Sequence, residues 1–174
     1  LRLSINKIGT LMHVMMGGSF DPVHEGHLRT AMAIKDLLQA DQVFLVPNAR
    51  SPLKQHITAD IHRLAMLQLA IAAYPSLVVD DCELKRPAPS YTVDTLQAQR
   101  KASGPVIPII WIMGVDGLAD LDRWKNWQTL TDFAHLVIVQ RPGHSPQPSA
   151  AVSGWLAERS TPDALNRLNC TPCG

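Results

Sequence analysis

The stretch that most constrains this chain lies near its beginning, where an apolar run meets a glycine pair. Leu11 to Met16 reads as a buried strand, and it ends on Gly17-Gly18-Ser19-Phe20-Asp21-Pro22-Val23-His24-Glu25-Gly26-His27-Leu28. Beyond this, Leu28, Ala31, Ile34 and Leu38 recur on one face at helical spacing. Strand, glycine turn and helix in this order form the unit from which parallel sheets are built. The same unit makes a place for phosphate. Glycines let the backbone approach an anion closely, and the first free N–H groups of a helix point at it. His24 and His27 add donors that can follow charge as it shifts during a reaction. On these grounds the segment reads as a nucleotide-phosphate site with catalytic character.

Simpler readings exist for each piece. A glycine pair after a strand is most often a turn, and a lone histidine is most often a surface or core residue; the combination carries the argument. A zinc reading of His24-Glu25-Gly26-His27 fails on spacing, because the metalloprotease signature sets its histidines four apart on one helix face with Glu beside the first. Neither a Walker loop ending in Lys-Ser/Thr nor a Gly-x-Gly-x-x-Gly fingerprint is present in the chain.

Strand-like and helix-like segments continue to alternate. Strands are expected at Leu11–Met16, Gln42–Pro47, Leu77–Val79, Val106–Met113 and His135–Gln140, the fourth being the most hydrophobic and therefore central. Helices are expected at about Gly26–Ala40, at Ile61–Tyr74 with Leu64, Leu67 and Ile71 on one side, and from Thr92 or Thr95 to about Lys101. Pro142–Ala151, rich in Pro, Ser and Gly, reads as a mobile loop. The pattern predicts a single α/β domain with a Rossmann-like, doubly wound parallel sheet. Right-handed crossovers put every strand's carboxyl end on one side, and ligands of such sheets bind in the crevice there. Gly17-Gly18, Pro47-Asn48, Asp80-Asp81, Gly114 and Gln140-Arg141 all follow strands and are expected to face it.

With 174 residues, 46% of them hydrophobic, the chain can bury a full core. A net charge of +1 offers no broad electrostatic footprint for nucleic acid. The pairs Lys85-Arg86 and Arg100-Lys101 are expected on the solvated surface. Three cysteines, Cys82, Cys170 and Cys173, cannot close a disulfide framework, which points to a reducing cytoplasm. Cys170-Thr171-Pro172-Cys173 has redox or half-zinc spacing without a second pair. No run approaches the length of a membrane span. Met12 looks like a natural start, so residues 1–11 are expected to be an extension and 12–174 the domain.

The Gly17–Leu28 string resembles the His-x-Gly-His signature of a nucleotidyltransferase superfamily and, within it, the bacterial nicotinate-nucleotide adenylyltransferases. The resemblance extends through Val46-Pro47-Asn48-Ala49-Arg50-Ser51-Pro52-Leu53-Lys54, Arg63-Leu64-Ala65-Met66 and Ser90-Tyr91-Thr92-Val93-Asp94-Thr95-Leu96. Gly114-Val115-Asp116, Trp124 and Val139-Gln140-Arg141-Pro142-Gly143 follow in the family's order, so the matches cover about residues 12 to 143. The Ser-Tyr-Thr block is rare outside the family.

The resemblance implies transfer of an adenylyl group from ATP to nicotinic acid mononucleotide in NAD biosynthesis, with Mg²⁺ held mainly through ATP phosphates rather than by protein ligands. It assigns His24, His27 and Lys54 to the phosphates, and Gly17, Gly18 and Ser19 to the mononucleotide. Phe20 is expected to pack and Asp21 to orient the loop or a ribose hydroxyl. Trp124 would stack on the pyridine ring, while Tyr91 and Thr92 would hold its carboxylate, Thr92 doubling as a helix cap; Trp127 could equally be core. Gly114 and Asp116 would shape the adenine and ribose end, with Arg141 on the adenosine side.

Two departures stand out. Ser51 and Leu53 replace a Pro and a His of the family's Pro-Asn-x-x-Pro-Pro-His block, with His56 nearby. The family's later Ile-Ser-Ser-Thr-x-Ile-Arg motif is not found before Gly174, which predicts weak ATP affinity and low turnover for a chain ending there. A phosphopantetheine adenylyltransferase of the same superfamily, which usually has Thr in place of His24, is the nearest rival; Ser90–Leu96 and Trp124 argue against it. A non-catalytic nucleotide-binding module is the rival from another class. Oligomeric state is not legible.

Overall fold

The computed structural model describes residues 12–49, 58–87, 89–140, 143, 147–160 and 171–174. Five strands, β1 (His13–Gly18), β2 (Val43–Pro47), β3 (Leu77–Val79), β4 (Ile109–Gly114) and β5 (His135–Val139), alternate with helices. The helices are α1 (Glu25–Leu38), α2 (Asp60–Ile71), α3 (Thr92–Ser103), α4 (Val115–Ala119) and α5 (Ala150–Arg159). All strand pairs are parallel, in the order β3-β2-β1-β4-β5. The order reverses beside β1, which pairs with both β2 and β4, so the crevice of such a sheet lies at the carboxyl ends of β1 and β4.

Alternation along each strand sorts the core into two layers. Val14, Met16, Ile110 and Ile112 pack with Leu28 and Ala31 of α1 and Leu67 of α2. Met15, Ile109, Trp111 and Met113 point the other way, toward Val93 and Leu96 of α3 and Val152 and Trp155 of α5. Burial on both faces is why β1 and β4 read as unbroken apolar runs rather than alternating ones. Each fully buried residue such as Leu45 or Ile112 contributes about 1.5–3 kcal/mol of apolar burial. The expected doubly wound parallel sheet is therefore the observed one.

Boundaries shift where backbone hydrogen bonding overrules hydrophobicity. β4 begins at Ile109, not Val106; Val106 is 77% exposed. Pro108 cannot donate to a ladder, and its carbonyl instead accepts from His13 N–H at 2.8 Å. β1 runs on to Gly18, so the glycine pair completes the strand, opposite Val46 and Pro47. Helix α5 begins at Ala150, inside the stretch expected to be loop, because the Ser149 hydroxyl accepts from Val152 N–H at 3.4 Å and caps it. Leu11, Pro142 and residues 144–146 lie outside the described residues. Among those described, no helix is long and apolar enough to cross a membrane.

Candidate active site

A cleft of about 810 Å³ opens at the carboxyl ends of β1 and β4. Of the residues expected in the site, Gly17, Gly18, Ser19, His24, His27, Tyr91, Thr92, Gly114, Asp116 and Trp124 all line it. Asn48 and Gln140 line it as strand-end residues, whereas Asp80 and Asp81 do not; the acidic residue that reaches the cleft from that segment is Glu83. Phe20 and Asp21 are not on the wall. Lys54, His56, Arg141 and Cys170 lie outside the described residues.

The histidines sit where α1 begins. His24 precedes the helix in extended conformation, φ −148°. Its N–H donates to His27 Nδ1 at 3.3 Å, and His27 N–H donates to the His24 carbonyl at 2.9 Å. Because Nδ1 accepts, the neutral His27 ring carries its proton on Nε2. The two imidazoles stack with centroids 3.8 Å apart and planes at 26°. Gly26 makes this possible: a Cβ there would lie 3.0 Å from the His24 ring. The result is two rings and a helix N-terminus lining one wall, a suitable cradle for an anion.

Phe20 works from behind this wall. It is 1% exposed, adopts φ 48°, and meets the His27 ring edge-on at 5.1 Å. A left-handed backbone at a non-glycine residue costs on the order of 1 kcal/mol, offset here by burying the ring. Asp21 ties the same loop to the residues just before α2, its carboxylate accepting from Thr58 N–H at 2.8 Å. Gly17 answers to a different neighbour. The Trp111 indole occupies the space where its Cβ would be, 2.1 Å from Cζ2, so only glycine fits.

Trp124 lines the same cleft and is followed by Lys125, whose ammonium lies 4.8 Å from the Tyr91 ring centroid and 3.0 Å from both Asp94 oxygens. Tyr91, not Thr92, takes the cap position of α3, and Thr92 is its first residue; no side chain caps this helix. Behind them Glu83, 4% exposed, accepts from the Thr95 hydroxyl at 2.6 Å, and Arg86 bonds Thr95 and pairs with Glu83 at 3.8 Å. Burial raises the Glu83 carboxyl above its ordinary value, opposed by the Thr95 hydrogen bond and Arg86. Burial, with Asp80 beside it, pushes the neighbouring Cys82 thiol up to about 12, so it is no nucleophile. Trp127 packs edge-on against Trp155 at 5.3 Å and belongs to the core.

Three inward-turned arginines, Arg63, Arg86 and Arg100, were not expected from the sequence. Arg86 and Arg100 were expected on the surface, yet each turns inward to bind buried or main-chain oxygens, while Lys85 does pair with Asp81 in the open. Asn48 holds Gly18 through its N–H at 3.0 Å, and its side-chain Oδ1 is buried without a partner among the described residues. Arg63 is 0% exposed and donates to Ser19 O at 2.5 Å, Asn48 O at 2.6 Å, Thr58 O at 2.9 Å and the Asp60 carboxylate at 2.5 Å. One signal was available: Arg63 shares the inward stripe of α2 with Leu67, where an unpaired charge is not tolerated.

A family model described as cytidylyltransferase-like matches residues 15–165. A probable nicotinate-nucleotide adenylyltransferase of Aeromonas salmonicida is 45% identical over 86% of this chain and 70% of its own length. One of the same name from Laribacter hongkongensis is 44% identical over 92% of this chain and 72% of its own length. Among solved structures, nicotinic acid mononucleotide adenylyltransferase of Plasmodium falciparum, complexed with NaAD, shares the fold at TM-score 0.68 and 20% identity, covering 82% of this chain and 69% of that one. The same enzyme complexed with APC superposes at TM-score 0.65. On these matches the chain belongs to the nicotinate-nucleotide adenylyltransferase family and is a nucleotidyltransferase.

Proposed function

We propose that this protein transfers the adenylyl group of ATP to nicotinic acid mononucleotide, giving nicotinic acid adenine dinucleotide and pyrophosphate, a step of NAD biosynthesis. The observation that carries the reading is the stacked His24–His27 pair at the N-terminus of α1, in the same cleft as Trp124. The names of the relatives and the NaAD and APC complexes of the Plasmodium enzyme support the substrate class.

The mononucleotide phosphate is ionised at neutral pH, so it attacks the α-phosphorus of ATP without help from a base. The bond to the β,γ-phosphates breaks, and its electron pair leaves with pyrophosphate. The chain's task is alignment and charge balance. His24, His27 and the first N–H groups of α1 receive the growing charge on the leaving phosphates, with Lys54 as a further cation. Gly17, Gly18 and Ser19 face the mononucleotide. Trp124 stacks on the pyridine ring, and the N–H groups of Thr92 and Val93, which precede the first bonds of α3 to the Tyr91 carbonyl, take the carboxylate. An amide would present its own N–H to those donors, so the acid is preferred. Gly114, Asp116 and Arg141 hold the adenosine end.

Among the described residues no three His, Cys, Asp or Glu side chains converge as a cation cage. Asp116 and Asp120 give the cleft scattered oxygen donors, which fits Mg²⁺ arriving on the triphosphate and keeping phosphate and water as most of its ligands. When bound it neutralises phosphate charge.

The test is a substrate panel: protein, ATP and Mg²⁺ with nicotinic acid mononucleotide, its amide counterpart or phosphopantetheine, read as pyrophosphate release. The reading predicts release with the acid, less with the amide and none with phosphopantetheine. Activity only with phosphopantetheine identifies the rival enzyme, and nucleotide binding without release identifies a binding module.

A further inference from the structure

With adenylyl transfer as the reaction on which it rests, we propose that Arg63 is a positioning residue that sets the His24–His27 pair by clamping the loops that follow β1 and β2. Its guanidinium is fully buried in the first turn of α2 and reaches three separate segments. Nη1 takes the Ser19 carbonyl, Nη2 those of Asn48 and Ala49 at 2.6 and 3.2 Å, and Nε that of Thr58. Among the described residues, Asp60 is the one carboxylate bonded to it.

The clamp connects directly to the imidazoles. The Ser19 carbonyl belongs to the peptide bond leading into Phe20, whose ring is wedged edge-on against His27. Gly18 and Asn48 are laced together by a main-chain bond, so Arg63 grips both members of the junction between β1 and β2. Asp21 bonds Thr58 in parallel, closing the circuit from the other side. Only a planar fork of five N–H donors can serve these carbonyls at once; a lysine ammonium has three donors from one point and cannot span them. Arg63 faces the backs of the loops rather than the cleft wall, so it acts through Ser19 and Phe20 rather than on substrate.

Arg100 is the internal control. It too binds main-chain carbonyls, those of Gly104, Ile107, Phe133 and Pro172, but at the amino ends of β4 and β5, away from the cleft. The experiment compares Arg63→Lys with Arg100→Lys in the full chain, below both melting temperatures. It reads kcat, KM for both substrates, and the His27 imidazole N–H signal by NMR. Arg63→Lys is expected to lower kcat by about 30-fold, the scale of a sub-ångström misplacement, with KM changed by less than about three-fold and the His27 signal moved. Arg100→Lys is expected to lose a similar amount of melting temperature while kcat stays within about two-fold and the His27 signal stays in place.

Should Arg63→Lys fail to fold, Asp60→Asn frees the guanidinium from its carboxylate, with an expected kcat loss of about three-fold and a smaller shift of the same signal. Unchanged kcat with an unmoved His27 signal, in Arg63→Lys or in the Asp60→Asn substitute, overturns the proposal. Absence of pyrophosphate release by the unaltered protein defeats the reaction instead, and the His27 signal then decides the clamp alone.

Discussion

The two ends of the sheet use the same fastening, and one of them opens onto the cleft. At the amino ends Arg100 gathers four carbonyls, and the His135 ring lies 2.9 and 3.1 Å from main-chain oxygens of Thr171 and Gly174. At the carboxyl ends Arg63 gathers carbonyls equally well, and Asn48 Oδ1 and Trp111 Nε1, on residues that line the cleft, have no partner among the described residues. Buried polar groups are ordinarily paired, and a group left unpaired costs about 1–3 kcal/mol. Both ends are fastened by an inward-turned arginine, and the carboxyl end also presents polar groups to a cleft.

The largest effect that could break this contrast belongs to Gly17. A Cβ there meets the Trp111 indole at 2.1 Å, so Gly17→Ala is expected to cost about 3 kcal/mol, a fall of about 6–12 °C in melting temperature, and to abolish activity. Full activity at unchanged melting temperature would mean the strand end is looser than described. Next comes Trp124→Ala, at a half-buried ring on the edge of the second core layer, which is expected to raise KM for nicotinic acid mononucleotide about tenfold, since ring stacking adds about 0.5–1.5 kcal/mol to the buried area lost. An unchanged KM would remove Trp124 from the pyridine subsite.

The smallest effects concern pH, and they run in opposite directions at the two ends. Burial raises the Glu83 carboxyl, so the folded state holds its proton longer than the unfolded chain, and stability from this group is lost as pH rises above 4.5. Glu83→Gln is therefore expected to gain on the unaltered protein between mildly acidic and neutral pH. His13, at the amino end, stacks on Phe44 at 4.3 Å, and burial lowers its proton affinity despite Asp80. Its contribution is present above 6.5 and lost as pH falls through the depressed value, so His13→Gln is expected to gain on acidification. Thermal melts of both variants across pH check the signs. Parallel curves for the two would remove the distinction.

Much of this organisation is legible in the residues. β1 and β4 announce themselves because both faces are buried, and the glycines and histidines of Gly17–His27 announce a phosphate site because few other needs combine them. What escapes is decided by distant partners. Arg63 stands in the sequence only as part of the Arg63-Leu64-Ala65-Met66 match, without a role, until Ser19, 44 positions away, supplies its carbonyl. Arg100 reads as a surface charge until Phe133 and Pro172 close around it. Val106 and Ile107 read as strand because hydrophobicity cannot register that Pro108 has no N–H to pair. The cap of α3 falls on Tyr91 because its extended backbone, not a hydroxyl, ends the preceding turn.

The central claim is that the paired imidazoles carry phosphate charge through the reaction. Its most direct test is pyrophosphate release from ATP and nicotinic acid mononucleotide by the unaltered protein and by His24→Ala, which removes one exposed ring and spares the core. The account predicts a rate about 10²–10³ lower in the variant, the loss typical of one charge-stabilising donor, with an unchanged melting temperature. A variant that turns over at the full rate would contradict it.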